Sequence, residues 1–192
     1  MRYAVFFLAM PLAGCISFGA APPPTLLTIE SAAAVPVGAV RRTAGANAVT
    51  VSVPSVPQAL ATTRVPVQAT PTTIAYVKDA QWAEPPARLF ARLIGDTLTA
   101  QTGRVVFTGG QSNVDPGALL GGELRRFDLD ATARVAVVTF DASLIRTDAG
   151  AVEKRRFEAR VPVTAIDAAS AGPALGQAAN QVAAEVADWI GR

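Results

Sequence analysis

The residue types able to do chemistry fall into a few groups. Cys15 is the one thiol in the chain, and it closes the run Leu12-Ala13-Gly14. Glu84 and Asp96 are two carboxylates on one amphipathic stretch, Thr108-Gly109-Gly110-Gln111-Ser112 is a glycine turn, and Lys154-Arg155-Arg156 is a basic cluster. A carboxylate pair suits glycan hydrolysis, but twelve helical residues rise about 18 Å, beyond the roughly 6.5–9.5 Å of inverting enzymes. Glu84 and Asp96 therefore read as a first-turn acid near a helix dipole and a solvated side chain. Glu123 or Asp141 is left free to pair with some other group through the fold, with no local support for it. The glycine turn lacks the Lys-Ser/Thr ending of a phosphate loop and the spacing of a dinucleotide loop. The basic cluster suits an acidic partner, lipid head groups, or an edge strand guarded against aggregation. The chain has no His, which excludes histidine triads, Cys-His pairs, His-ligated metals and histidine pH switches. A single Cys excludes an intrachain disulfide and a thiolate metal cluster. The net charge of +2 makes no field for a polyanion such as nucleic acid. No metal or cofactor is expected, and the chain reads as a non-enzyme.

The chemistry that remains centres on Cys15. Met1-Arg2 is a positive start, and Tyr3–Leu12 is almost wholly apolar. That run is shorter than the about 20 residues a membrane span needs, so it reads as the core of a secretory signal. Its end, Leu12-Ala13-Gly14-Cys15, resembles the lipobox of bacterial lipoproteins. Small residues before the Cys let a membrane peptidase reach the Gly14–Cys15 bond once the thiol carries a diacylglyceryl group. Acyl chains contribute about 0.8 kcal/mol per buried methylene, so several of them anchor a chain permanently. Residue 16 is Ile, not the Asp that commonly holds lipoproteins at the inner membrane, so the expected location is the outer membrane, facing the periplasm. The competing reading is a plain signal peptide with an incidental Cys.

The elements that follow organise the rest. Residues 15–47 hold Pro22-Pro23-Pro24, Gly38, Gly45 and Arg41-Arg42, and read as a lipidated Cys with a Pro-rich tether, carrying one short strand at Thr25–Glu30. The folded domain spans 48–192. Val49, Val51 and Val53 alternate with polar residues as a half-buried strand that Pro54 stops. Arg64–Ala69 and Thr73–Lys78 are two further short strands around Thr70-Pro71-Thr72. Leu89, Phe90, Leu93, Ile94 and Leu98 share one face of a helix that Pro85-Pro86 opens and Gly103 ends. Arg104–Thr108 is a strand candidate. Strands at Leu119–Asp128, Ala133–Arg146 and Val152–Val163 follow, the last two joined by a Thr147–Gly150 hairpin turn. In the middle strand Ala136, Val138, Phe140, Ala142 and Leu144 share one side. In the last strand Phe157, Ala159 and Val161 point inward, and Pro162 marks an edge or an end. A closing helix, with Ser170 as cap and Pro173 in its first turn, has Leu175, Ala178, Ala179, Val182, Val186, Trp189 and Ile190 as its apolar stripe. The expected class is α/β: a mixed, largely antiparallel sheet with two amphipathic helices packed on it.

The lipobox, the tether, Ile74-Ala75-Tyr76-Val77, the block Gln81-Trp82-Ala83-Glu84-Pro85-Pro86, the Glu123–Phe127 strand and the ending Ala187-Asp188-Trp189-Ile190 together resemble the ABC-type transport auxiliary lipoproteins, the family of paraquat-inducible protein C. The resemblance covers about residues 25 to 190. It implies a fold similar to the N-terminal domain of the Tol-system propeller protein. It implies an auxiliary lipoprotein that works with an ABC transporter and its mammalian-cell-entry substrate-binding subunit in moving lipid between membranes. A homo-oligomer is implied in the same way. Tyr76 and Trp82 are candidate partner contacts, with Trp82 also readable as a plug between helix and sheet. The alternative function is a periplasmic lipid carrier with its ligand between helix and sheet, a reading that the 39 alanines leave open.

Overall fold

The computed structural model describes residues 25–33, 35, 37–40, 48–108, 117–146 and 151–191. Gly14, Cys15, the 41–47 stretch, Gly109-Gly110 and the Thr147–Gly150 turn lie outside the described residues.

Residue alternation builds the strands β1 (Ala48–Val51), β2 (Arg64–Thr70), β3 (Thr73–Gln81), β4 (Val105–Thr108), β5 (Ala118–Asp130), β6 (Val135–Arg146) and β7 (Val152–Pro162). The helices are α1 (Pro86–Thr102) and α2 (Ala168–Gly191), and a short 3-10 turn covers Gln58–Leu60. β5, β6 and β7 form an antiparallel meander, in unbroken register between β6 and β7 and with one shift between β5 and β6. The other flank of β5 is shared by two strands. β1 runs parallel to its first residues, pairing Val49 with Ala118 and Val51 with Leu120. β2 runs parallel to its last, pairing Val67 with Leu129. β4 lies outside β1 and β3 outside β2, which completes a mixed seven-stranded sheet. β1 ends at Val51, short of the expected Val53 and Pro54, and the chain continues along the same flank of β5, where Ser55 makes a parallel bridge to Glu123.

The class expected from the sequence, α/β with two helices on a mixed sheet, is the class observed. Both helices cover one face. α2 packs on β6 and β7, α1 on β1 and β4, and the two helices pack on each other. Gly103 ends α1 at φ +70°, a left-handed value that costs glycine little. Phe90 meets Phe127 and Phe140 edge-on, at 6.4 and 5.3 Å between ring centres, and Trp82 meets Phe127 at 5.4 Å.

Several local expectations change. α2 begins at Ala168, and Asp167 accepts the Ser170 N–H at 2.8 Å, so Asp167 and not Ser170 caps it. Pro173 consequently lies inside the helix and leaves the carbonyl of exposed Ala169 without its helical donor. Thr25–Glu30 forms no strand, only a bridge from Leu27 to Trp82. β6 starts at Val135 because Arg134 sits in the preceding turn at φ +55°. Val137 and Thr139, on the face away from the helices, are buried as well. Val137 stands in register between Asp128 and Arg160, and the Thr139 hydroxyl donates to Glu158 at 2.9 Å. Long charged side chains thus shelter the centre of the outer face.

Candidate functional site

The outer face of the meander carries the charges. A bulge at Arg125 shifts the register between Leu124 and Arg126. The extra residue lets Leu124 and then Phe127 and Leu129 all point to the core, while Glu123, Arg126 and Asp128 point out. In register across three strands this yields the rows Glu123–Asp141–Arg156, Arg126–Thr139–Glu158 and Asp128–Val137–Arg160. Charge alternates along β5 and in the opposite sense along β7. The result is an ion-pair lattice. Arg156 grips Asp141 through two nitrogens at 2.6 and 2.7 Å, and Arg125 approaches the same carboxylate at 3.5 Å. Arg126 holds Asp128 at 2.6 and 3.2 Å, and Arg160 holds Glu158 at 2.8 Å.

The arginines decide the titration of this face. Hydrogen bonds from Arg156 hold the Asp141 carboxyl below the ordinary carboxylate range, and the bond from Arg160 does the same for Glu158. Asp128 goes the other way: burial pushes it up more than its bond to Arg126 pulls it down. Each of these carboxylates is already neutralised by a guanidinium. The lattice is thus largely self-neutralised. Glu123 and Asp141, each left open singly by the sequence, sit opposite each other with Arg125 near both, at 3.8 and 3.5 Å. Glu84 is held by Arg92 at 2.9 Å, and burial raises the carboxyl of Asp96. Among the described residues no group of three or more potential metal ligands converges.

Two depressions lie on this side. One, of about 670 Å³, is open and lined by Ser55, Glu123, Asp141, Ser143, Lys154 and Arg156, with Gly122 among its lining residues. Gly122 has φ +140°, and a Cβ there would sit 2.1 Å from the Asp141 carbonyl oxygen, so only glycine fits. Lys154 and Arg155 lie on β7, which among the described residues pairs only with β6, so the basic cluster stands on an edge strand. The other depression, about 230 Å³, is lined by Pro57, Leu60, Pro66, Ile74 and the Arg126–Asp128 pair. Tyr76 stands across β2–β3 from that pocket's Pro66, half-buried, with the Arg64 guanidinium 3.8 Å above its ring. Ile74 beside it is 49% exposed. Trp82 does not join that patch. It is 1% exposed, its Nε1 has no partner, and its ring plugs the start of α1 against Phe127. Burial of a large apolar ring outweighs the missing bond, so a surface contact through Trp82 is corrected to a core role. Trp189, half-buried, packs on Phe157 at 5.6 Å.

The space between helices and sheet is filled by Leu89, Phe90, Leu93, Phe127 and Phe140, all at most 2% exposed. A ligand there would have to displace them. No helix among the described residues is long and apolar enough to cross a membrane. Sequence reasoning missed Asn180, which lies outside the apolar stripe of α2. Asn180 accepts the Ala32 N–H at 2.7 Å and donates to the Glu30 carbonyl at 3.0 Å. A mid-helix Asn is the one local signal, since Asn is a poor helix former without a bonding task.

Comparison with known proteins gives the fold a lineage. A Xanthomonas campestris protein assigned to the family DUF330 superposes with TM-score 0.67 at 21% identity, covering 86% of this chain and 93% of its own. An uncharacterized protein superposes with TM-score 0.65 at 19% identity, covering 75% and 92%. These likenesses concern the fold. No curated protein matches the chain. The family model described as the ABC-type transport auxiliary lipoprotein component matches residues 28–187, and the chain belongs to that family.

Proposed function

We propose that this protein is a non-enzymatic outer-membrane lipoprotein that docks a mammalian-cell-entry-type lipid transport system at its periplasmic face. The observation that carries the reading is the family match over 28–187, downstream of a Cys15 in lipobox context. Membership makes the chain an auxiliary component of an ABC-type transport system; the membrane, the lipid cargo and the partner subunit are the proposal. The largely self-neutralised outer face supports a role in binding rather than catalysis. The packed aromatic layer supports docking over carriage of a lipid inside the domain. Tyr76, stacked under Arg64 beside exposed Ile74 and the 230 Å³ pocket, is the partner contact, since half-exposed aromatics with an Arg make efficient anchors.

Purification from membranes in mild detergent tests it. Recovery of a mammalian-cell-entry subunit with the wild-type chain, reduced by Tyr76→Ala, is the expected result. Absence of that subunit, with an intact lipid barrier in a deletion strain, refutes the docking role. Lipid that co-purifies in fixed stoichiometry with the lone protein favours the carrier reading instead.

A further inference from the structure

The segment Thr25–Ala33 falls in the stretch read as a tether with one short strand at Thr25–Glu30, yet from Leu27 to Ala32 it is bound to the folded domain. The Leu27 N–H donates to the Gln81 carbonyl and the Leu27 carbonyl accepts from Ala83, both at 2.8 Å. The Leu27 side chain occupies the space a Cβ on Gly172 would need, at 3.0 Å. Ile29 is 7% exposed and joins the core. Ser31 shares a hydrogen bond with Thr97 of α1 at 3.1 Å, and Asn180 of α2 clamps the backbone on both sides of Ser31. The segment therefore lies between the helices. It passes Gly172 near the start of α2 before Asn180, and Ala83 just before α1 ahead of Thr97. It runs from the helix N-termini toward their C-termini.

We infer that residues 25–33 are a strap that seats the chain's own membrane-proximal segment between α1 and α2, holding the N-terminal end of the helices close to the bilayer. The inference rests on acylation of Cys15. From Cys15 to Leu27 there are about 12 residue steps, which span at most roughly 43 Å fully extended. A tether free through residue 47 has about 33 steps and a limit of roughly 120 Å. Docking the strap thus shortens the leash and selects which end of the domain faces the lipid. The β5–β6 turn at Ala131–Arg134 lies at that end: Arg134 donates to the Thr164 carbonyl, just before α2.

The test uses the acylated full chain in vesicles of phosphatidylethanolamine and phosphatidylglycerol. A donor dye on Thr132→Cys, paired with an acceptor on lipid head groups, reads the distance to the surface. A Gly/Ser insertion of about ten residues is placed either between Ala20 and Ala21, before the strap, or between Arg42 and Thr43, after it. The upstream insertion lengthens the distance, by about 5–10 Å, and the downstream one leaves it unchanged. Equal responses, whether both lengthen it or neither does, overturn the strap. A chain that fails to partition onto vesicles overturns the anchor instead, and the premise falls with it.

Discussion

Adding one methyl group to Gly122 separates a strained position from an ordinary one. At Gly122, φ is +140° and an ideal Cβ would lie 2.1 Å from the Asp141 oxygen, 3.0 Å from its carbon and 3.1 Å from the Ala142 Cα. All three atoms are backbone, so a side-chain rotation relieves nothing; β6 must move by about 1 Å. Gly122→Ala therefore carries backbone strain of about 1–3 kcal/mol. The Ser55 N–H donates to the Gly122 carbonyl at 3.0 Å, and Leu124 donates to the Ser55 carbonyl at 2.9 Å. Disturbing these two bonds adds about 0.5–1.5 kcal/mol each. The sum, about 2–6 kcal/mol, is a fall in Tm of roughly 5–20 °C for a domain of this size. Gly121 is the internal control, because a Cβ there meets nothing within 4 Å. Gly121→Ala leaves stability unchanged or raises it by about 0.5–1 kcal/mol, since glycine weakens a strand interior. Thermal melts by circular dichroism and urea titrations of the two variants measure the difference. Equal melting temperatures, or a less stable Gly121→Ala, would refute the argument that the β5–β6 approach requires glycine.

Trp82→Ala costs about 3–5 kcal/mol in urea unfolding, as for other large aromatic truncations, whereas Tyr76→Ala costs less than half of that; comparable losses would return Trp82 to the surface. The depressed carboxyls of Asp141 and Glu158 contribute stability that is present above their ordinary range and lost as pH falls through their folded values. Asp141→Asn therefore flattens the acid limb of a stability–pH curve below about pH 4, and an unchanged limb would contradict the Arg156 bond. Asp128 has the opposite sign: its raised carboxyl makes stability fall as pH rises out of the ordinary range, and Asp128→Asn removes that fall from the same curve. Cys15→Ala leaves the folded domain's melting unchanged while shifting the protein out of the membrane fraction; retention at the membrane would dispose of the lipid anchor.

Much of this architecture is legible locally. The stripe Leu89–Leu98 and the stripe Leu175–Ile190 fall where the helices are, because a period near 3.6 needs no partner to be seen. Gly103 announces the end of α1 for the same local reason. The Gly121-Gly122 pair inside a strand pattern signals a close approach, although which glycine is indispensable depends on where β6 lies. Arg125 gives no local sign of being a bulge. Only the demand that Leu124 and Phe127 both reach the core places it there.

The order of residues alone determined the types of the long elements from β1 to α2, the apolar stripes of the helices, the absence of histidine chemistry and the lipobox context of the only thiol. These are properties of a residue and its near neighbours. Tertiary structure alone decided that β1 and β2 share one flank of β5, that the charges of β5 and β7 alternate in register, that Trp82 is core while Tyr76 is surface, and that Asn180 clamps the backbone at Glu30 and Ala32. Each of these depends on groups far apart in the chain. Their pairing is set by which surfaces meet when the helices close over the sheet, and no window of sequence contains both partners.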